Sequence, residues 1–168
     1  MERLEKGHGR SLFIQVLLWL LVFAMICAIY MLSGQEGAAS QRLSKAFFKG
    51  AGAYTGLREV IRHYGAELDL SGNFLFRKIA HFVLFFILAS TLYIAVKNSV
   101  KKHEIVLTAA GCTLLAGMDE YHQIFVSGRE ARIFDVVIDF SGTLCALLVI
   151  KAITVIFRVI VRSKGGIL

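Results

Sequence analysis

Three short runs of the 168-residue chain hold the side chains that could do chemistry: Arg77, Lys78 and His81; Asp119, Glu120, His122 and Gln123; and Arg129, Arg132, Asp135 and Asp139. Histidine beside a carboxylate is the arrangement of a general base. His81 or His122 could take a proton, with Asp119 or Asp135 orienting the ring. Arginine presents a planar fork that matches phosphate oxygens, so Arg77, Lys78, Arg129 and Arg132 suit an anionic headgroup. His81, His122, Asp119 and Asp135 also form a histidine–carboxylate set of the kind that takes zinc or manganese. However, Asp-Glu-Tyr-His-Gln is not His-Glu-x-x-His, and no second cluster has ligand spacing, so the sequence predicts no metal and no cofactor. The plainest alternative is a network of buried ion pairs that fixes helix order without chemistry. Breaking one such pair costs about 3–5 kcal/mol.

The elements that must carry these residues are apolar helices. Hydrophobic residues make up 57% of the chain, charged residues 18%, and proline is absent. A soluble domain holds about 25% charged residues. Disorder, a collagen-like repeat and a small disulfide scaffold are excluded. Four stretches, at about 11–32, 74–96, 104–126 and 134–161, read as transmembrane helices. The first has 22 residues without a charge, about 33 Å of helix against a hydrocarbon core of about 30 Å. That run is too long for a signal-peptide core, despite its basic flank. No strand-like alternation of useful length occurs, and short connections make neighbouring helices antiparallel. The expected fold is all-α: a four-helix transmembrane bundle forming one domain over residues 1–168. Between helices one and two, Leu43 with Phe47, and Leu57, Val60, Ile61 and Tyr64, mark two short amphipathic helices on the membrane surface.

This arrangement gathers the polar residues. The third stretch has 14 uncharged residues, Ile105–Met118, before Asp119. Asp119 lies about 22 Å along that helix from Glu104, and therefore inside the far leaflet. Asp135 and Asp139 are four residues apart on one face, Asp139 about 6 Å deeper. In an antiparallel bundle the end of helix three and the starts of helices two and four share a membrane face. Ser33 and Gln35, at the end of helix one, share it too. A charge at mid-membrane costs about 2.5–3.5 kcal/mol, so these groups are expected to pair. Ala109, Thr113 and Gly117, and likewise Gly142 and Ala146, recur every four residues and predict close helix packing.

Charge sets the orientation. With four crossings, the side holding both termini carries ten basic residues and the opposite side nine. Arg77, Lys78, Arg129 and Arg132 stand among acids at helix ends. The termini and the second connection are basic with few acids, which places both termini in the cytoplasm. Cys27, Cys112 and Cys145 each stand alone in apolar helix and read as packing residues. No phosphate-loop or dinucleotide fingerprint occurs, and no basic folded face is left for nucleic acid.

The polar runs resemble the VanZ family of bacterial membrane proteins. Phe-Arg-Lys-Ile-Ala-His-Phe at 76–82, Asp-Glu-Tyr-His-Gln-Ile-Phe-Val-Ser-Gly-Arg at 119–129, and Asp135, Asp139 and Gly142 match its pattern, with a weaker match at Ser33 and Gln35. Ser127 replaces the usual proline of the Val-Pro-Gly-Arg turn, and Glu36 stands where proline is common. Leu84 and Phe85 replace a polar-aromatic pair. The name-giving member is linked with resistance to teicoplanin, a lipid-tailed glycopeptide that targets cell-wall precursors. The resemblance therefore implies a multi-pass protein of the bacterial cell membrane. Such a protein would bind or shield an envelope component, and so lower susceptibility to lipoglycopeptides, through an outward-facing cluster of Arg77, Lys78, His81, Asp119, Glu120, Gln123, Arg129, Asp135 and Asp139. Its partners would be membrane lipid, a lipid-linked envelope precursor or the lipoglycopeptide. The alternative is a membrane enzyme that modifies a lipid-linked or phosphate-containing precursor, with His81, Asp119, His122 and Asp135 as the catalytic candidates.

Overall fold

The computed structural model describes residues 2–35, 72–100, 102–127 and 132–165. They form four helices: α1, Glu2–Ser33; α2, Gly72–Ser99; α3, Glu104–Gln123; and α4, Ile133–Gly165. No strand occurs among the described residues. The expected surface helices between α1 and α2, and Arg129, lie outside the described residues.

The helices differ from the expected spans mainly at their ends. The basic leader Glu2–Arg10 continues helically into the apolar run of α1, with no proline to stop it. α3 ends at Gln123 rather than 126. There, Ile124, Phe125 and Val126 donate backbone bonds three residues back, to Tyr121, His122 and Gln123, at 3.3, 3.1 and 3.1 Å. Such i→i−3 bonds tighten a last turn and use up its carbonyls. At the other end of α3, His103 adopts a left-handed conformation (φ 65°) and starts the helix after the turn from α2.

Three of these helices are long and apolar enough to cross a membrane: the spans Leu12–Ser33, Arg77–Ser99 and Ile133–Ser163, with mean hydropathy 2.8, 2.3 and 2.6. The fourth expected span, α3, falls short of that mark. Its 20 residues measure about 30 Å, which matches the hydrocarbon thickness. What it lacks is apolarity, because Asp119 and Glu120 occupy the final turns.

α2 is the hub, packing against α1, α3 and α4. The apolar window of α2 is 44% buried, against 11% for those of α1 and α4. Phe85, Leu88, Ala89 and Ala95 of α2 pack with Val22 and Ile29 of α1, Cys112 and Ala116 of α3, and Ala146 of α4. Phe13, Phe23, Leu148 and Phe157 point outward, which suits a surround of lipid rather than water. Gly142 lets α4 approach α2 closely, since a Cβ there would run into the backbone carbonyl of Phe82. The expected small-residue face of α3 is not the packed one. Thr113 and Gly117 are exposed, and nothing lies within 4 Å of a Cβ built on Gly117. The buried ladder is Thr108, Cys112 and Ala116, one position earlier at each step.

The bundle is antiparallel. At one end Ser33, closing α1, meets Asp119 near the end of α3, and Lys78 near the start of α2 meets Asp135 near the start of α4. At the opposite end Gln15 Nε2 and Trp19 Nε1, a turn apart on α1, donate to Ser99 Oγ of α2 at 2.9 and 3.1 Å.

Candidate polar site in the bundle end

Asp119 is fully buried. Its Oδ2 accepts from Ser33 Oγ at 2.8 Å and from Gln123 Nε2 at 2.9 Å. One donor comes from α1 and the other from the next turn of α3, so the carboxylate is fixed between two helices. Its neighbour Glu120 does different work. Glu120 Oε2 accepts the backbone N–H of Arg132 at 2.7 Å, at the very start of α4, where a helix leaves N–H groups unpaired and favours negative charge.

α2 and α4 are joined by two polar rungs. Lys78 pairs with Asp135, and one turn deeper His81 Nδ1 stands 3.3 Å from Asp139 Oδ1. The spacing of the sequence sets this up: Lys78 and His81 lie three apart on α2, and Asp135 and Asp139 four apart on α4. The close approach of Gly142 to Phe82 follows immediately below the second rung. It holds the two helices near enough for both rungs to close.

The rungs and the Asp119 station form one electrostatic unit. Asp139 interacts with Asp119 and Lys78, and Glu120 with Asp119, Asp139 and His81. Arg77 and Lys78 both act on Glu120 from α2. Besides the oxygens of Asp135 and Asp139 that face Lys78 and His81, Asp119 Oδ1, Glu120 Oε1 and Asp139 Oδ2 are buried without a hydrogen-bond partner.

Eight of the nine ligand-binding candidates thus fall at this end of the bundle, Arg129 lying outside the described residues. The catalytic and metal candidates are regrouped. A ring nitrogen of His81 and one oxygen each of Asp119 and Asp139 lie within 4.8 Å of one another. Among the described residues this is the group whose donor atoms lie close enough to share a metal ion; it has His81 and Asp119 in common with the histidine–carboxylate set weighed from the sequence, and Asp139 in place of His122 and Asp135. Asp135 is taken by Lys78, one turn nearer the helix start. His122 turns to α1, its ring centroid 5.5 Å from that of Tyr30. Ser33 belongs to the site as a direct donor, which its position at the end of helix one had only placed nearby.

A family model described as VanZ/LLP1 matches residues 13–158. The chain belongs to the VanZ/LLP1 family. The match runs from the first apolar turns of α1 into the last turns of α4, so the buried polar unit sits within the family's own segment. No match was found among curated proteins or among solved structures. Of this chain's departures from the VanZ pattern, Phe85 is a buried core residue of α2, Ser127 is exposed after α3, and Glu36 lies outside the described residues.

Proposed function

We propose that this VanZ-family membrane protein crosses the bacterial cell membrane four times with both termini in the cytoplasm. α3 passes as a member of the bundle, its acids satisfied by neighbours. The polar end then lies in the outer leaflet, where it binds the polar headgroup of an envelope component. Membrane lipid or a lipid-linked precursor is the occupant, and the consequence is lower susceptibility to lipoglycopeptides such as teicoplanin. The observation that carries this reading is the pair Arg77 and Lys78, set beside buried carboxylates that still have unpaired oxygens. Cations at that depth suit phosphate oxygens, and buried unpaired oxygens are costly unless a ligand or ion meets them.

A second reading, a membrane enzyme modifying a phosphate-containing precursor, is favoured by one feature. His81 faces a fully buried Asp139, the orienting arrangement a general base uses. Expression in a teicoplanin-susceptible bacterium tests the function. The wild-type chain should raise the inhibitory concentration several-fold, and Arg77→Gln and Asp139→Asn should remove that protection at unchanged protein level. Full protection by both variants would sink the site reading. Mass spectrometry of the lipid-linked precursors separates the two readings, since only an enzyme yields a new mass.

A further inference from the structure

We propose that His81, Asp119 and Asp139 bind a divalent transition-metal ion of the zinc or manganese class. Three helices supply the donors: α2 the imidazole, α3 and α4 one carboxylate each. Their ligand atoms already lie within 4.8 Å of one another. Bonds of about 2.0–2.2 Å to a shared ion would draw them closer by about an ångström, within reach of small side-chain rotations.

Two further observations point to a cation rather than to a chance cluster of acids. First, both acids carry buried oxygens that no hydrogen bond satisfies. Asp119 is 0% exposed, and Ser33 and Gln123 both bond its Oδ2, leaving Oδ1 buried without a hydrogen-bond partner. Asp139 is likewise 0% exposed; neither of its oxygens has a hydrogen-bond partner, and Oδ1 lies 3.3 Å from His81 Nδ1. For Asp119, bonds from Ser33 and Gln123 to one oxygen orient the carboxylate and leave the other for an ion, as outer-shell partners do for a metal ligand. Second, the charges balance. Lys78 is engaged with Asp135, while Asp119, Asp139 and the His81 imidazole bring one donor atom each within 4.8 Å of one another. Two carboxylates buried together are held apart in charge only by a proton or a cation. A divalent ion with two carboxylates and a neutral imidazole sums to zero. One histidine with two carboxylates is a mixed nitrogen–oxygen donor set, which suits zinc or manganese better than soft copper(I).

The metal site shares its buried carboxylates with the functional reading but does not depend on it. If both hold, the ion lies beside Arg77 and Lys78 and adds a Lewis-acidic anchor for a phosphate headgroup. Metal binding by itself requires no lipid.

The test uses the full chain in detergent, stripped with a chelator and titrated with zinc or manganese chloride. Elemental analysis should find about one equivalent per chain after desalting, and metal should raise the unfolding temperature, because it binds the folded state alone. Asp119→Asn and Asp139→Asn should each weaken binding at least about tenfold. Ser33→Ala should weaken it about 10–100-fold, the usual effect of losing an outer-shell partner. His122→Gln should bind like wild type. The proposal is overturned if the wild-type chain shows no saturable uptake of either ion. Wild-type-like uptake by the triple variant His81→Gln, Asp119→Asn, Asp139→Asn overturns it equally. Should a single variant fail to accumulate, the wild-type titration with its thermal shift and the His122→Gln control still decide. A metal-free protein that protects cells leaves the headgroup reading intact; a metal-bound protein without protection leaves this one intact.

Discussion

Lys78 and Asp135 join the starts of α2 and α4 with only 10% of each side chain exposed. At that burial, removing one partner strands the other charge at a cost of about 3–5 kcal/mol, whereas replacing both with apolar groups of similar size is often neutral. Lys78→Met should therefore lower the unfolding temperature of the detergent-solubilised chain sharply, and adding Asp135→Leu should restore most of the loss. A double variant as unstable as the single one would show that the pair also serves other partners. Which acids sit at this end could be read from the sequence, because charge in an apolar helix stands out and antiparallel order follows from short connections. Which acid meets which base could not. Asp135 and Asp139 share a face, so spacing alone allows either one to meet Lys78 or His81. The depth at which α4 approaches α2 decides it, and the Gly142–Phe82 contact sets that depth. His122 likewise takes a direction that is not set by spacing alone. It lies three residues from Asp119, close enough along the helix to share a site, yet it turns toward Tyr30.

Among the elements, α2 and α4 form the closest pair, and a single glycine permits it. A methyl group at Gly142 would meet the Phe82 backbone, which cannot move aside as a side chain can. Overfilling of that kind costs about 1–3 kcal/mol, so Gly142→Ala should lower the unfolding temperature and loosen both polar rungs. Gly117→Ala is the control. Nothing lies within 4 Å of its added methyl, and alanine favours helix by about 1 kcal/mol over glycine, so that variant should be neutral or slightly more stable. Equal destabilisation by both would mean that α3 packs through its Gly117 face. The sequence could not choose between these faces. α3 carries two small-residue ladders offset by one position, Ala109–Thr113–Gly117 and Thr108–Cys112–Ala116, and either would suit close packing. Burial of Asp119 selects the second, because a helix that turns Asp119 inward turns Ala116 and Cys112 inward with it.

At the scale of the whole molecule, the acids of α3 govern whether it crosses the membrane. Its acids weigh against insertion as a lone segment, each costing about 2.5–3.5 kcal/mol at mid-helix and less toward the ends. Its partners offset this: Ser33 and Gln123 serve Asp119, and the start of α4 serves Glu120. On this view α1, α2 and α4 insert by apolarity, and α3 is held by the bundle. Four crossings would divide the charge unevenly. The net +7 falls entirely on the side that would hold the termini, where ten bases meet three acids, while nine bases meet nine acids on the other. The two ends of α3 give a direct measurement, since Lys102 and Ser127 flank it and both are exposed. In a background with Cys27, Cys112 and Cys145 replaced, single cysteines at these positions can be challenged with a membrane-impermeant maleimide. If α3 crosses with the termini inside, Ser127→Cys reacts in intact cells and Lys102→Cys reacts only after permeabilisation. The reverse pattern would invert the protein and move the polar site to the cytoplasmic face, where a lipoglycopeptide does not act. Equal labelling of both positions would put the two ends of α3 on one side, leaving three crossings and the termini on opposite sides.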